Sequence, residues 1–219
     1  LRSLVGSEMC IRDRYGAKLL DPPYKDHYFD GALMHIFNAD TKENGGIFSQ
    51  SQGWLILAES LIGHGDRAFE YFMESSPAAM NDKAEIRVIE PYAHGQFTES
   101  KASPYEGRSH VHWLTGTAST VMVGCVEGIC GMRPDADGLT VSPAIPSEWD
   151  GFRIEKSFRG KQLSIEVQNA EHVQSGVREI VLNGEKLEGN YIPADKLATE
   201  NKITVIICLL YTSPSPRDS

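Results

Sequence analysis

The chain has 219 residues, of which 41% are hydrophobic and 23% are charged, and its formal net charge is −9 at pH 7. This composition is ordinary for one large or two modest soluble domains, and the acidic balance disfavours nucleic acid and anionic membranes as partners. The four cysteines form no C-x-x-C pair and no zinc-type spacing, so we expect no cysteine-bound metal. No metal and no cofactor are predicted for the chain. We interpret Cys125 and Cys130 as core-filling residues on different faces of one helix, in a reducing cytoplasm.

The two ends of the chain stand apart from the rest. Residues 1–14 and 208–219 both resemble translated sequencing-adapter read-through. We therefore interpret both segments as artefacts and base no fold prediction on them, and we expect the remainder to be an internal piece of a longer protein.

Three segments in the first part of the chain have the apolar spacing of helices, namely residues 47–62, 66–73 and 113–132. The first and third are apolar nearly all round, which predicts inner helices buried on every side. The second has one apolar face and a capping Asp66, which predicts an amphipathic outer helix. The connection over residues 75–112 is too long for a structureless loop, so we expect it to be functional or to carry short strands. This order is typical of an α/α toroid, whose active site lies at the mouth.

The pattern changes to alternating strands near residues 134–138. Residues 152–158 and 163–167 alternate between apolar and polar side chains on either side of a predicted turn at Gly160-Lys161. Asn183-Gly184 is a strong hairpin signal. The second part of the chain is therefore predicted to be an antiparallel β-sandwich.

The first candidate site surrounds Gly45-Gly46, which separates a charged triplet from a predicted buried helix. A sugar or anion site would use Lys42 and Glu43 toward hydroxyl groups, with Gln50 reaching inward. The alternative is a solvated loop with a Gly-Gly bend.

The second candidate site is Thr115-Gly116 at the start of the third helix. Backbone N–H groups and threonine hydroxyls at a helix start suit phosphate or another anion. The alternative is an ordinary threonine cap.

The third candidate site pairs the carboxylate of Glu90 with the ring of Tyr92, a combination common in sugar contacts. The alternative is a strand and loop that brace the barrel mouth. His110 and His112 would share one face of a strand but lack a third ligand, so no metal is predicted there. Glu59 and Glu127, in predicted buried helices, are interpreted as paired structural carboxylates.

Five motifs occur in order along the chain and together resemble glycoside hydrolase family 94, the inverting disaccharide phosphorylases typified by cellobiose and chitobiose phosphorylases. These motifs are Asp21-Pro22-Pro23-Tyr24, residues 42–48, Ala84-Glu85-Ile86-Arg87 with Ile89-Glu90-Pro91-Tyr92, residues 113–118 and Phe158-Arg159-Gly160-Lys161. The resemblance implies a fold of mixed α and β class. It implies the last part of an (α/α)6 catalytic barrel over residues 15–134 and a C-terminal β-sandwich over residues 135–207.

The resemblance also implies a reaction, the reversible phosphorolysis of a β-linked glucosyl or N-acetylglucosaminyl disaccharide to an α-sugar 1-phosphate and a free sugar. A carboxylic acid protonates the leaving oxygen while the co-substrate, inorganic phosphate, takes the place of the water that an inverting hydrolase would use. The acid of the family is an Asp in the earlier part of the barrel. We therefore expect no catalytic residue in this fragment, which should be inactive alone, and a cytoplasmic homodimer for the full-length protein.

The resemblance assigns Thr115 and Gly116 to phosphate and Lys42 to the acceptor sugar. Gln50 stands where the family often has a phosphate-site His; its amide can donate a hydrogen bond but carries no charge. Leu33 and Phe37 stand where cellobiose phosphorylases have a Glu and a Tyr, so the contacts of cellobiose are not expected to be preserved.

Two other functions remain open from the sequence. An inverting α/α-barrel hydrolase would use Glu43, Glu85 or Glu90 as the base that activates water. A non-catalytic carbohydrate-binding module would need a row of exposed rings on the sandwich, where Trp149 is the only tryptophan.

Overall fold

Helices occupy the first half of the chain in the computed structural model, which describes residues 12–25 and 36–209. Leu33 and most of both terminal segments lie outside the described residues. The helices are α1 (Ser49–Leu61), α2 (Gly65–Ser75), α3 (Ala84–Arg87) and α4 (Thr117–Val123), and α4 continues into a π-helical segment, Gly124–Ile129. Short 3-10 turns lie at Asn81–Lys83 and Ala194–Lys196. The predicted helices over residues 47–62 and 66–73 are confirmed, whereas the third begins at Thr117 rather than at Trp113.

The strands fall into four sheets. They are β1 (Arg12–Asp13), β2 (Gly16–Ala17), β3 (Ile47–Phe48), β4 (Gly95–Thr98), β5 (Ser109–His112), β6 (Met132–Pro134), β7 (Gly138–Val141), β8 (Gly151–Phe158), β9 (Lys161–Gln168), β10 (Val177–Leu182), β11 (Glu185–Leu187), β12 (Tyr191–Pro193) and β13 (Glu200–Ile207). β1 pairs with β2, and β3, β4 and β5 form a second small sheet. β4, β5 and α3 all lie within residues 75–112, which confirms that this connection carries short strands.

Glycines allow α1 and α4 to pack with their backbones in contact. A Cβ atom on Gly53 would lie 2.4 Å from the carbonyl carbon of Thr120, and one on Gly124 would lie 2.9 Å from the carbonyl oxygen of Gly53. The Thr120 hydroxyl also donates to the Gln50 carbonyl over 3.0 Å. The starts of the two helices are therefore held side by side.

The prediction that α1 and α4 are buried on every side is wrong for the described residues. Trp54 on α1 is 54% exposed and Met122 on α4 is 67% exposed. A groove of about 320 Å³ runs between these helices, lined by Gly53, Trp54, Leu57, Ser119, Thr120 and Val123. The two helices therefore share an exposed apolar patch. The (α/α)6 barrel itself stays a prediction.

The π-helical segment changes the relation between Cys125 and Cys130. The Cys130 N–H donates to the Cys125 carbonyl over 2.8 Å, so residues five apart are about one turn apart. The prediction that the two thiols lie on different faces assumed an ordinary α-helix and is therefore wrong for this π-helical segment. Both side chains still pack against the core, as predicted.

The second half of the chain forms two sheets, one of five strands in the order β11-β10-β13-β9-β8 and one of three in the order β12-β7-β6. β13 lies between β9 and β10 and runs parallel to β9, so the all-antiparallel prediction is wrong at this pair. The predicted turn at Asn183-Gly184 is confirmed, with φ of 52° and 90°. The β8–β9 turn lies one residue earlier than predicted, at Arg159 and Gly160, which also have positive φ.

One hydrophobic core joins the helices to both sheets. It includes Ile56 of α1, Tyr71 of α2, Leu139 of β7 and Ile165 of β9. Asp66 was expected to cap α2, but that helix begins at Gly65. The Asp66 carboxylate instead accepts hydrogen bonds from Ser147 in the loop after β7. The α1–α2 turn is thereby fixed to the sandwich.

Candidate functional site

The small sheet brings three of the candidate segments to one edge. β3 and β5 are both antiparallel to β4, so β3 and β5 run in the same direction. Phe48, the last residue of β3, pairs with Phe97, and His112, the last residue of β5, pairs with Gly95 at the start of β4. We call the edge at which β3 and β5 end and β4 begins the site edge. The segments around Gln50, Glu90 to Tyr92, and Thr115-Gly116 all adjoin it.

Gln50 and Gly116 are in contact at the site edge. A Cβ on Gly116 would lie 3.4 Å from both the side-chain amide carbon and Nε2 of Gln50. A Cβ here would make an ordinary van der Waals contact, so the glutamine amide lies directly beside Gly116. The two predicted phosphate-binding segments are far apart in sequence but adjacent in the structure.

Thr115 organises the start of α4. Its hydroxyl lies 2.6 Å from the Thr117 hydroxyl and accepts a hydrogen bond from the Thr117 N–H over 3.2 Å. Gly116 is the N-cap of α4 and Phe48 the N-cap of α1, and neither supplies a side-chain cap. Two helix starts thus meet with no cap from either N-cap residue, although Thr115 accepts from the first N–H of α4. This arrangement favours an anion because helix N-termini carry partial positive charge.

Lys42 and Glu43 lie in the turn before β3, toward the opposite end of the small sheet from the site edge. The Lys42 ammonium lies 5.1 Å from the centre of the Phe37 ring, a cation–π contact. One carboxylate oxygen of Glu43 is buried without a hydrogen-bond partner among the described residues. The structure therefore separates this pair from the Gln50–Gly116 contact.

The turn that carries Lys42 is fixed by buried polar contacts. The Ser100 hydroxyl donates to the Asp40 carboxylate over 2.6 Å and to the Gly45 carbonyl over 2.9 Å. Lys18, which is 3% exposed, forms an ion pair with Asp40 over 2.7 Å. The turn that carries Lys42 is therefore held by buried polar contacts on both sides of it.

Glu90 contacts two residues of the segment after β5. Its Oε2 lies 2.7 Å from His112 Nδ1, and its Oε1 accepts a hydrogen bond from the Trp113 indole over 3.4 Å. The pKa of Glu90 is lowered, first by a hydrogen bond from its own backbone N–H and then by Trp113 and His112. The carboxylate is therefore kept ionised at the site edge.

Tyr92 and Trp113 form an exposed aromatic pair beside Glu90. Their ring centres are 6.0 Å apart at 55°, and the residues are 70% and 64% exposed. Neither Trp113 nor His112 was predicted as a site residue. The available signal was the position of both residues immediately before Thr115-Gly116.

A polar cavity of about 20 Å³ lies against the small sheet. Arg87, His94 and Glu74 are among its lining residues. Burial lowers the pKa of Arg87, and burial followed by the charge of Arg87 lowers the pKa of His94. Burial raises the pKa of Glu74 against the opposing effect of Arg12. A cavity of this size holds about one water molecule, so it supports the site rather than binding a sugar.

The remaining predictions concern a buried carboxylate and possible metal ligands. Glu59 is fully buried and lies 2.8 Å from His64 Nδ1, which confirms that it is a paired structural carboxylate. Glu127 is only half-buried, so the same prediction is wrong about its burial. Within residues 12–25 and 36–209, no cluster of three potential metal ligands occurs. The helices of that same part of the chain include none long and apolar enough to cross a membrane.

Two protein-family profiles match the chain. The profile of the glycosyl hydrolase 94 superfamily catalytic domain matches residues 5–131, and that of the glycosyl hydrolase family 65 C-terminal domain matches residues 132–187. The N,N'-diacetylchitobiose phosphorylases of Vibrio proteolyticus and Vibrio furnissii are 35% and 37% identical to this chain over 193 residues, which is 88% of the chain. The solabiose phosphorylase of Paenibacillus borealis is 25% identical over 82% of the chain and 23% of that protein.

The chain spans 24% of the length of either Vibrio relative. The catalytic-domain match nevertheless covers more than half of the chain, and it contains the whole site edge. The chain belongs to the glycosyl hydrolase 94 superfamily.

Proposed function

We propose that the longer protein carrying this chain is an inverting disaccharide phosphorylase. It cleaves a β-linked disaccharide with inorganic phosphate and releases an α-sugar 1-phosphate and a free sugar. The observation that carries the proposal is the contact of Gln50 with Gly116 where the starts of α1 and α4 meet. A disaccharide phosphorylase must hold phosphate by N–H and hydroxyl groups opposite its general acid, and this junction offers such groups.

The proposed phosphate ligands are Thr115, Gly116 and Gln50. The Thr115 hydroxyl can accept a hydrogen bond from the Thr117 hydroxyl and at the same time donate its own proton to a phosphate oxygen. The Gln50 side-chain amide donates in place of the imidazole that the resemblance suggests. Lys42 and Glu43 are proposed to contact the acceptor sugar. Glu90 and Tyr92 are proposed to line the part of the site edge where the sugar binds.

The proposed substrate is a β-linked N-acetylglucosaminyl disaccharide in preference to a glucosyl one. The two chitobiose phosphorylases are 35% and 37% identical to this chain, against 25% for the solabiose phosphorylase. Phe37 in place of a tyrosine offers a ring but no hydroxyl to an acceptor sugar, which disfavours the contacts expected for cellobiose.

The general acid is proposed to be an Asp that precedes this chain in the longer protein, so the chain alone should be inactive. Glu90 is disfavoured as the base of a hydrolase because both of its carboxylate oxygens face Trp113 and His112. We further propose a cytoplasmic homodimer for the longer protein, which sedimentation analysis of that protein would test.

The test is an assay of the full-length protein with N,N'-diacetylchitobiose and with cellobiose, each with and without inorganic phosphate. The proposal predicts sugar release only with phosphate, and faster turnover of N,N'-diacetylchitobiose. Equal release without phosphate would mean that the enzyme uses water and that Thr115-Gly116 is a plain helix start.

A further inference from the structure

The carboxylate of Glu90 faces two residues of the segment after β5. Oε1 accepts from the Trp113 indole over 3.4 Å, and Oε2 lies 2.7 Å from His112 Nδ1. Oε1 holds the Trp113 indole, while Oε2, beside His112, accepts no hydrogen bond within the described residues. The carboxylate is therefore placed to orient the indole.

Trp113 adopts an unfavourable backbone conformation that presents its ring to solvent. Its φ is 65°, and the Leu114 N–H donates to the His112 carbonyl over 2.8 Å, which closes a three-residue γ-turn. A γ-turn with positive φ is rare and strained, and Val111, two residues earlier, also has a positive φ of 57°. Strain of this kind persists where the surrounding structure fixes it, and it is concentrated at functional sites.

The ring that this turn presents is large, apolar and mostly uncovered. Trp113 is 64% exposed, and the Tyr92 ring beside it is 70% exposed. The face of an indole is electronegative, so it attracts the weakly positive C–H groups on one face of a pyranose. Two tilted rings with a polar carboxylate at their edge form a surface suited to a sugar.

We propose that the Trp113 indole, flanked by Tyr92, is the surface on which a pyranose ring of the substrate stacks, and that Glu90 is a positioning residue that orients the indole. The proposal rests on the proposed function, because Trp113 precedes the proposed phosphate ligand Thr115 by two residues. A sugar stacked on Trp113 therefore lies beside the phosphate site. The site edge thus combines an anion site and a sugar platform on one continuous segment.

The test uses the full-length protein, with separate KM values for N,N'-diacetylchitobiose and for phosphate. Trp113→Ala should raise the disaccharide KM about tenfold or more, since loss of about 1.4 kcal/mol of binding is tenfold in affinity, while the phosphate KM changes less than twofold. Trp113→Phe keeps a ring but loses the indole N–H, so a rise of about threefold is expected. Tyr105→Ala removes an exposed ring before β5, away from the site edge, and serves as the matched control.

A double-mutant cycle tests the positioning role of Glu90. Glu90→Gln should raise the disaccharide KM in the parent protein but have a smaller effect in the Trp113→Phe background, where no indole N–H remains to be held. An equal effect in both backgrounds would overturn the positioning role and make Glu90 a direct sugar ligand.

Two results separate this inference from the proposed function. A disaccharide KM that stays within twofold in Trp113→Ala, in a protein whose turnover requires phosphate, overturns only the stacking surface. Turnover that does not require phosphate overturns the proposed function itself. If Trp113→Ala fails to fold, Trp113→Phe decides, and an unchanged disaccharide KM in that variant overturns the proposal.

Discussion

Gly116 at the start of α4 lies against the side-chain amide of Gln50 at the start of α1, with the position of a Cβ on Gly116 only 3.4 Å from Gln50 Nε2. Sixty-six residues separate the two in the sequence, and the parallel course of β3 and β5 brings them together. A phosphate at this junction would meet both helix starts at once.

Gln50 variants test whether its amide contacts phosphate. Gln50→Ala should raise the phosphate KM of the full-length protein about tenfold, because a hydrogen bond to a charged group contributes about 1.5–3 kcal/mol. Gln50→Glu has nearly the same shape but places a negative charge beside the phosphate, so its effect should be larger. Equal phosphate KM values in the parent protein and in Gln50→Glu would contradict the assignment.

Gly53→Ala tests the close packing of α1 and α4. The added methyl group would meet the backbone of Thr120 at 2.4 Å, and overpacking of this kind costs about 1–3 kcal/mol. The helices must move apart, so we expect a lower Tm together with a raised phosphate KM.

Gly184→Ala is the matched control for that variant. Its Cβ would meet nothing within 4 Å, but φ of +90° disfavours alanine. It should lower Tm through backbone strain in the sandwich and leave the phosphate KM unchanged. A raised phosphate KM in both variants would indicate that the effect follows lost stability rather than the helix contact.

His94 gives a prediction for pH dependence. Burial and then the charge of Arg87 hold its pKa below the ordinary value of 6.5, so the folded protein favours the neutral imidazole. As pH falls below about 6.5, the unfolded chain takes up the proton first, and stability falls until the pH reaches the lower folded-state pKa. In His94→Asn the drop in Tm between pH 7 and pH 5 should be smaller than in the parent, and an identical drop would refute this role. Glu74 lines the same cavity, but it is present in both the parent and His94→Asn and so does not account for a difference between them.

Cys125 should be chemically unreactive in the folded protein. Burial, followed by the nearby Cys130, raises the pKa of its thiol to about 12, and the thiolate is the reactive form. Iodoacetamide at pH 8 should therefore leave Cys125 unmodified until denaturant is added, as measured by mass spectrometry of the derived peptides. Rapid labelling of Cys125 in the native protein would contradict its burial.

The sequence was informative where the signal is local. Apolar periodicity located α1 and α2, and the Asn-Gly pair located the β10–β11 turn, because each depends on residues close in the chain. The parallel β9–β13 pair could not be read from alternation, since alternating side chains do not reveal which strand is the neighbour. The same limit applies to burial, because Trp54 has the spacing of a core residue but lies in a groove that the described residues leave open.

The candidate site shows the same division between local and long-range information. The helix-start chemistry of Thr115-Gly116 and the carboxylate–ring pair of Glu90 and Tyr92 could be recognised as short motifs. The contacts of Glu90 with Trp113 and His112 could not be recognised in this way. They depend on the register of β4 and β5 and on a strained turn at Trp113, which the residue type there does not predict.

The identity of the phosphorylated product tests the central claim most directly. The full-length protein would be incubated with N,N'-diacetylchitobiose and inorganic phosphate while the reaction is followed by phosphorus NMR. We predict a growing signal of the α-anomer of N-acetylglucosamine 1-phosphate, matched by an equal loss of phosphate and an equal gain of free N-acetylglucosamine. Release of free sugar with no sugar phosphate would contradict the account and identify water as the nucleophile.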